Sequence, residues 1–217
     1  MFFNRMRYTL IYLKQIKLFP QAFWVAETIL NPNTNIFLVG LMGSGKTTIG
    51  RALAKKLGKR FIDADHEIEA RTGASIPLIF EIEGEASFRQ READVIRDLT
   101  AQEGIVLATG GGAILNENSR HLLKTRGIVI YLNASINHIL QRTSHDKNRP
   151  LLQTPDPKAR IEELARLRGP LYQEVAHITL ETGRPNVQSV VQTILARLEP
   201  LTAPVTPASD SAPTPSL

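Results

Sequence analysis

An α/β fold, with a parallel sheet assembled from βαβ units and covered by helices, is what this 217-residue chain predicts. Three observations lead there. From Asn35 onward, short apolar runs alternate with longer stretches of helical periodicity. The first apolar run ends in a glycine-rich turn that opens directly into a helical pattern. The composition, 42% hydrophobic and 22% charged, suits one globular domain with some spare length.

The run Ile36, Phe37, Leu38, Val39 is the first strand, and it stops at Gly40. Gly40 to Thr47 reads GLMGSGKT, which matches the phosphate-loop pattern Gly-x-x-x-x-Gly-Lys-Ser/Thr with a strand before it and a helix after it. In such a loop the glycines let successive backbone N–H groups curl around a phosphate, and the helix N-terminus adds its positive end. The nucleotide-binding residues are therefore Gly43, Ser44, Gly45, Lys46, Thr47 and Thr48. Lys46 reaches the β- and γ-phosphates, and the Thr47 hydroxyl ligates Mg²⁺. The chain binds a nucleoside triphosphate.

The remaining elements follow in order. Thr48 to Leu57 is helical, with Ile49, Leu53 and Leu57 on one face and Gly58 as its stop. Arg60 to Ile62 is a second strand, and Asp65 is placed to cap a helix over His66–Arg71. A longer helix runs from Gly84 to Thr100, and a buried strand, Ile105 to Ala108, runs into Gly110–Gly112. Ser119–Lys124 reads as helix, Ile128–Leu132 as strand and Ser135–Arg142 as helix. Residues 144–157 are polar, carry three prolines and read as an exposed mobile loop. Ala159–Val175 is helical with a break at Gly169-Pro170, followed by a strand at His177–Leu180 and a last helix at Val187–Leu198.

The two ends differ from this core. Residues 1–33 are aromatic, basic and nearly acid-free, and read as a poorly ordered extension. Its apolar stretch is too short and too charged to span a bilayer, and its lack of serine counts against an organelle transit peptide. Residues 200–217 repeat Pro, Ala, Ser and Thr and cannot bury enough surface to order themselves. The globular unit is thus 34–199. The net charge of +5 is partly carried by the extension, and the modest remainder suits an anionic ligand without requiring nucleic acid. The chain has no cysteine, which excludes disulfides, thiolate metal sites and cysteine nucleophiles.

Ligands of open parallel sheets gather at the carboxyl ends of the strands. A common Mg²⁺ partner in phosphate-loop proteins is an aspartate closing a buried strand. The strand Ile105–Ala108 ends instead in Thr109 and glycines, so Asp63 is the second metal candidate, acting through a metal-bound water. Helix capping alone accounts for one of Asp63 and Asp65, and a loose turn alone would account for the glycine run.

Six segments in register carry a family resemblance: the phosphate loop, Phe61-Ile62-Asp63-Ala64-Asp65, Phe88-Arg89 with Glu92, Gly110–Gly112, Arg149-Pro150-Leu151-Leu152 and Arg168-Gly169-Pro170-Leu171-Tyr172. Together they closely resemble shikimate kinase over Asn35 to Leu198. The resemblance implies a three-layer nucleoside-monophosphate-kinase-like fold whose five-stranded parallel sheet has the order 2-3-1-4-5. It implies phosphorylation of the 3-hydroxyl of shikimate by ATP with Mg²⁺, on the route to chorismate and the aromatic amino acids, by a cytoplasmic monomer with no membrane or nucleic-acid partner. It also implies roles. Asp65 holds the substrate hydroxyls and takes the proton, Arg89 and Arg168 hold the carboxylate, and Gly110, Gly111 and Gly112 line the ring. Arg149 closes over the phosphates from the lid, and Arg142 and Arg184 adjoin the adenine. Two arginines suit a small carboxylic acid, because a planar guanidinium matches a carboxylate through paired hydrogen bonds.

Other readings stay open at this stage. A gluconate-type kinase shares the phosphate loop and lid, and is disfavoured by the pairing of Arg89 with Arg168 and by the Asp63/Asp65 spacing. A binding protein that has lost catalysis would be expected to lack part of this set. A GTPase switch is weaker, because no Asn-Lys-x-Asp sequence follows the fourth strand.

Overall fold

The computed structural model describes residues 31–144, 150–183 and 186–202. Arg149, Arg184, the extension before residue 31 and the tail after residue 202 lie outside these residues.

Five strands form one parallel sheet: β1 (Ile36–Val39), β2 (Arg60–Asp63), β3 (Ile105–Ala108), β4 (Ile128–Ala134) and β5 (Ile178–Thr182). Their order is β2-β3-β1-β4-β5, as expected. Side chains alternate across a strand, so each central strand feeds two cores. Phe37, Val39, Ile105, Leu107, Val129 and Tyr131 point to one face. There they pack against α2 (Ala64–Thr72), α3 (Ile76–Thr100), α4 (Glu117–Arg126), α5 (Ile136–Thr143) and α6 (Pro157–Val175). Ile36, Leu38, Val106, Ile130 and Leu132 point to the other face, onto α1 (Lys46–Leu57) and α7 (Val187–Thr202). The central strands are buried on both sides, which is why they read as unbroken apolar runs. Edge strand β5 alternates instead, with Ile178, Leu180 and Thr182 buried between the exposed Thr179 and Glu181.

Several expectations need correction. Helix α1 begins at Lys46 rather than Thr48, with Gly45 as its N-cap. Asp63, not Asp65, caps α2: its carboxylate accepts the Asp65 backbone N–H, because the helix starts two residues ahead of the expected His66. Helix α3 starts at Ser75/Ile76, well before Gly84, and at Gly84 it breaks into two segments through φ 79 and ψ 173. The expected break at Gly169-Pro170 does not occur. A mid-helix proline removes one hydrogen bond and crowds the preceding turn, but Ile161, Leu164, Arg168, Tyr172 and Val175 of α6 are all buried, and that packing keeps the helix continuous across Pro170. Within the lid, Pro150–Leu152 is a short 3-10 turn and α6 already begins at Pro157. The last helix runs past Leu198 to Thr202.

Candidate active site

The carboxyl ends of β1, β2 and β3 open on one side of the sheet, and two half-sites meet there. On the first side the chain turns directly from β1 into the phosphate loop. Gly40 takes φ 143, and a Cβ there would come within 2.5 Å of the Leu132 carbonyl oxygen, so no other residue fits. Gly43 and Gly45 are also in the left-handed region, at φ 71 and 99. Gly45 caps α1 without a side chain, which leaves the first-turn amides to an incoming anion. The Lys46 side chain folds back over the loop, and its Nζ donates to the carbonyls of Gly40 (2.8 Å) and Leu41 (2.9 Å). Ser44 is buried within the loop, where its carbonyl accepts from the Thr182 hydroxyl at 3.0 Å. Thr48 lies exposed on the first turn of α1. From α5, Arg142 Nη1 donates to the Gly43 carbonyl at 3.0 Å, placing a second cation beside the loop.

The metal candidates touch each other. Thr47 Oγ1 donates to Asp63 Oδ2 at 2.7 Å, so a hydroxyl and a carboxylate are joined beside the phosphate loop. Both are hard oxygen donors, and Mg²⁺ keeps several waters and takes few protein ligands. The pair fits that ion. Among the described residues there is no larger carboxylate or histidine cluster to hold a metal.

The second side is a cleft of about 510 Å³, partly open to solvent, that includes Asp65, Arg89, Gly111, Gly112 and Arg168 in its lining. It brings these five expected residues together from α2, α3, the glycine loop and α6. Gly110 lies just beneath, against the carboxylates of Glu92 and Asp65. Arg168 and Tyr172 stand one turn apart on α6, and both reach the Gly111 carbonyl, Arg168 Nη1 at 3.1 Å and the Tyr172 hydroxyl at 2.6 Å. A Cβ on Gly111 would meet nothing nearer than 3.6 Å, so packing does not demand a glycine there; it leaves the floor of the cleft bare.

The two arginines are not equivalent. Arg168 is 4% exposed, and no carboxylate among the described residues forms an ion pair with it. Burial pushes its guanidinium down from the usual arginine range, although arginine stays charged in proteins. A buried cation without an anion is costly, and an anionic ligand relieves that cost. Arg89 already has anions: Nη1 donates to Glu92 Oε2 at 2.7 Å, while Nε and Nη2 donate to Glu85 Oε1 at 3.2 and 2.8 Å.

Glu92, part of the Phe88-Arg89 motif, has a role that spacing alone does not give. It is buried, it anchors Arg89, and its Oε1 has no hydrogen-bond partner among the described residues. Burial pushes its carboxyl up from the ordinary value, while the Arg89 guanidinium pulls the other way. Met42, Ile76 and Phe80, none of them among the expected site residues, also line the cleft beside Phe88 of the Phe88-Arg89 motif. Phe80 and Phe88 pack as a tilted pair with centroids 4.7 Å apart. The available signal was the Ser75-Ile76-Pro77 start, an N-cap residue with proline in the first turn, which marks a helix ahead of Gly84. Tyr172 stacks on Tyr131 at 5.0 Å, and burial pushes its hydroxyl well above the ordinary tyrosine range.

Comparison with known proteins places this geometry. Residues 42–199 match the family model for shikimate kinase. A shikimate kinase of Burkholderia pseudomallei is 59% identical over 169 residues, covering 78% of this chain and 92% of the relative. One from Ralstonia nicotianae is 55% identical over 178 residues, covering 82% and 94%. Among solved structures, a shikimate kinase from Acinetobacter baumannii in complex with shikimate superposes with TM-score 0.77 at 49% identity, covering 85% of this chain and 99% of that one.

Proposed function

Because the chain belongs to the shikimate kinase family, we propose how its own residues divide the work of that reaction. The enzyme uses ATP and Mg²⁺ to phosphorylate the 3-hydroxyl of shikimate, giving shikimate 3-phosphate and ADP in chorismate and aromatic amino acid biosynthesis. The observation that carries the division is the buried Arg168, which meets no carboxylate among the described residues and faces a cleft that also holds Asp65.

In this reading Arg168 and Arg89 bind the shikimate carboxylate and fix the ring over Gly110, Gly111 and Gly112. Asp65 holds the ring hydroxyls and accepts the 3-hydroxyl proton as the new O–P bond forms. The bond between the γ-phosphorus and the β-bridging oxygen breaks, and ADP leaves with the electron pair. Lys46, the loop amides and Arg149 bind the phosphates and stabilise the charge spread over the transferring group. Arg142 and Arg184 flank the nucleotide. Thr47 and Asp63 would hold Mg²⁺, which when bound neutralises phosphate charge.

The kinase unit is 34–199, with its lid at 144–157. Dependence on ATP supports a cytoplasmic location. Among the described residues no helix is long and apolar enough to cross a membrane. The modest charge of the core supports a small-molecule partner and no nucleic acid.

The test is a coupled ADP-release assay with ATP and shikimate on wild type and Asp65→Asn. Asp65→Asn is expected to lower kcat by about two to four orders of magnitude, the usual range for a general base, with ATP binding by calorimetry retained. Wild-type turnover in Asp65→Asn would remove Asp65 from the proton-transfer role.

A further inference from the structure

Carboxylate recognition by Arg89 has a feature that its assignment alone does not explain. All three guanidinium nitrogens donate to the protein's own carboxylates. The two glutamates that engage them differ in how firmly they are held. The Glu92 side chain is 3% exposed and sealed beneath the glycine loop, whereas the Glu85 side chain is 47% exposed. Glu85 follows the Gly84 break directly, at the start of the second segment of α3, one turn before Arg89.

Glu85 holds the Nε/Nη2 edge of Arg89, the edge that a carboxylate takes when it binds side-on through two oxygens. It does so through a single oxygen, Oε1, which accepts both N–H groups. A ligand carboxylate that offers one oxygen to each nitrogen makes the stronger, parallel pair. We propose that Glu85 is a built-in surrogate for the substrate carboxylate: it keeps Arg89 aimed at the cleft in the empty enzyme, and shikimate must displace it to bind. Glu85 is thus a positioning residue that trades affinity for readiness, while Glu92 remains the permanent anchor. The inference rests on the assignment of Arg89 to the substrate carboxylate.

The two arginines then act in sequence. Arg168 lines the cleft with no carboxylate to displace among the described residues, and Arg89 is released to the anion only by exchange. Glu85 also opposes substrate entry by charge, since its field reaches Arg168 as well. Removing the Glu85 charge therefore favours shikimate twice, once at each arginine.

The experiment is steady-state kinetics with calorimetric titration of shikimate on wild type, Glu85→Gln, Arg89→Met and the double variant, with melting curves to check the fold. Glu85→Gln keeps the shape and an acceptor oxygen but loses the charge. It is expected to lower the shikimate KM and Kd by about two- to five-fold, the scale of a half-exposed ion pair, with the change on KM rather than kcat and with KM for ATP unmoved. In the Arg89→Met background the gain is expected to shrink to the part felt at Arg168 and to fade with added salt. A shikimate KM that rises or stays level in Glu85→Gln, while Arg89→Met raises it, overturns the surrogate role and leaves Arg89 as a substrate ligand. A wild-type shikimate KM in Arg89→Met, or in Arg89→Lys should the first variant unfold, overturns the Arg89 assignment and the surrogate role together.

Discussion

The two halves of the site are built in opposite ways. The phosphate side is a single stretch, Gly40 to Thr48, whose working groups are backbone amides and a lysine folded back on its own carbonyls. The acceptor side is gathered from α2, α3, the glycine loop and α6, and its working groups are side chains, Arg89 held by glutamates and Arg168 by the Gly111 carbonyl. One half reads a feature common to all nucleoside triphosphates, and backbone geometry suffices for that. The other must tell one small acid from another, which requires particular charges at particular distances. Generic recognition is local in the chain, and specific recognition is distributed.

Substitutions on the two sides should therefore move different kinetic constants. The largest effect belongs to Lys46→Ala, which removes the loop side chain proposed to reach the phosphates. We expect kcat to fall by about 10²–10³-fold or more, the cost of losing a charge-stabilising donor, with weakened ATP binding and an unchanged shikimate Kd by calorimetry. Arg168→Lys comes next: it keeps the charge but loses the planar fork. Its shikimate KM should rise by about one to two orders of magnitude, following the ~1.5–3 kcal/mol of a charged hydrogen bond, with KM for ATP within twofold. A comparable rise for ATP would erase the separation between the halves. Tyr172→Phe takes away the hydroxyl on the Gly111 carbonyl but keeps the ring on Tyr131. Loss of one buried hydrogen bond costs about 1 kcal/mol, so melting should drop by a few degrees, with a mild rise in shikimate KM.

The smallest effect lies away from both halves, at His177. Its Nδ1 accepts the Val129 backbone N–H at 3.0 Å where β5 joins β4. Burial, with Lys124 nearby, pushes the imidazole below its ordinary value of 6.5. The fold thus favours the neutral ring. The stabilisation is complete above pH 6.5 and is lost as the pH falls through the lowered folded-state value. Urea midpoints should decline across that window in wild type and flatten in His177→Gln, with both KM values unmoved. An unchanged slope in His177→Gln would assign the acid sensitivity to another group.

The same contrast explains what was legible in the amino-acid order. The phosphate loop is continuous and its pattern follows from residue types at fixed spacing, so its position between β1 and α1 could be read directly. Asp65, Arg89 and Arg168 belong to three helices with no local pattern that joins them; only the order of six motifs pointed to them. Local rules misled where tertiary packing overrode them. Pro170 sits inside a continuous helix because the buried face of α6 outweighs a lost hydrogen bond and a steric clash. The first segment of α3 escaped notice because Ile82 and Leu78 face outward and blur the amphipathic pattern. The alternating apolar runs gave a parallel sheet, but its order, β2-β3-β1-β4-β5, was implied only by the family resemblance, since local pattern does not rank the strands.

The carboxylate of Asp63 faces two ways, Oδ2 to the Thr47 hydroxyl at 2.7 Å and Oδ1 to the Asp65 backbone N–H at 3.1 Å. The residue that abuts the phosphate loop therefore also sets where the helix that carries Asp65, the proposed base, begins. Donor and acceptor share one fiducial point, and the span between them is gauged over three residues rather than across the width of the sheet. A tilt of the outer helices or a lengthened surface loop leaves that gauge untouched, so the distance over which the phosphoryl group travels is insulated from drift in the rest of the molecule.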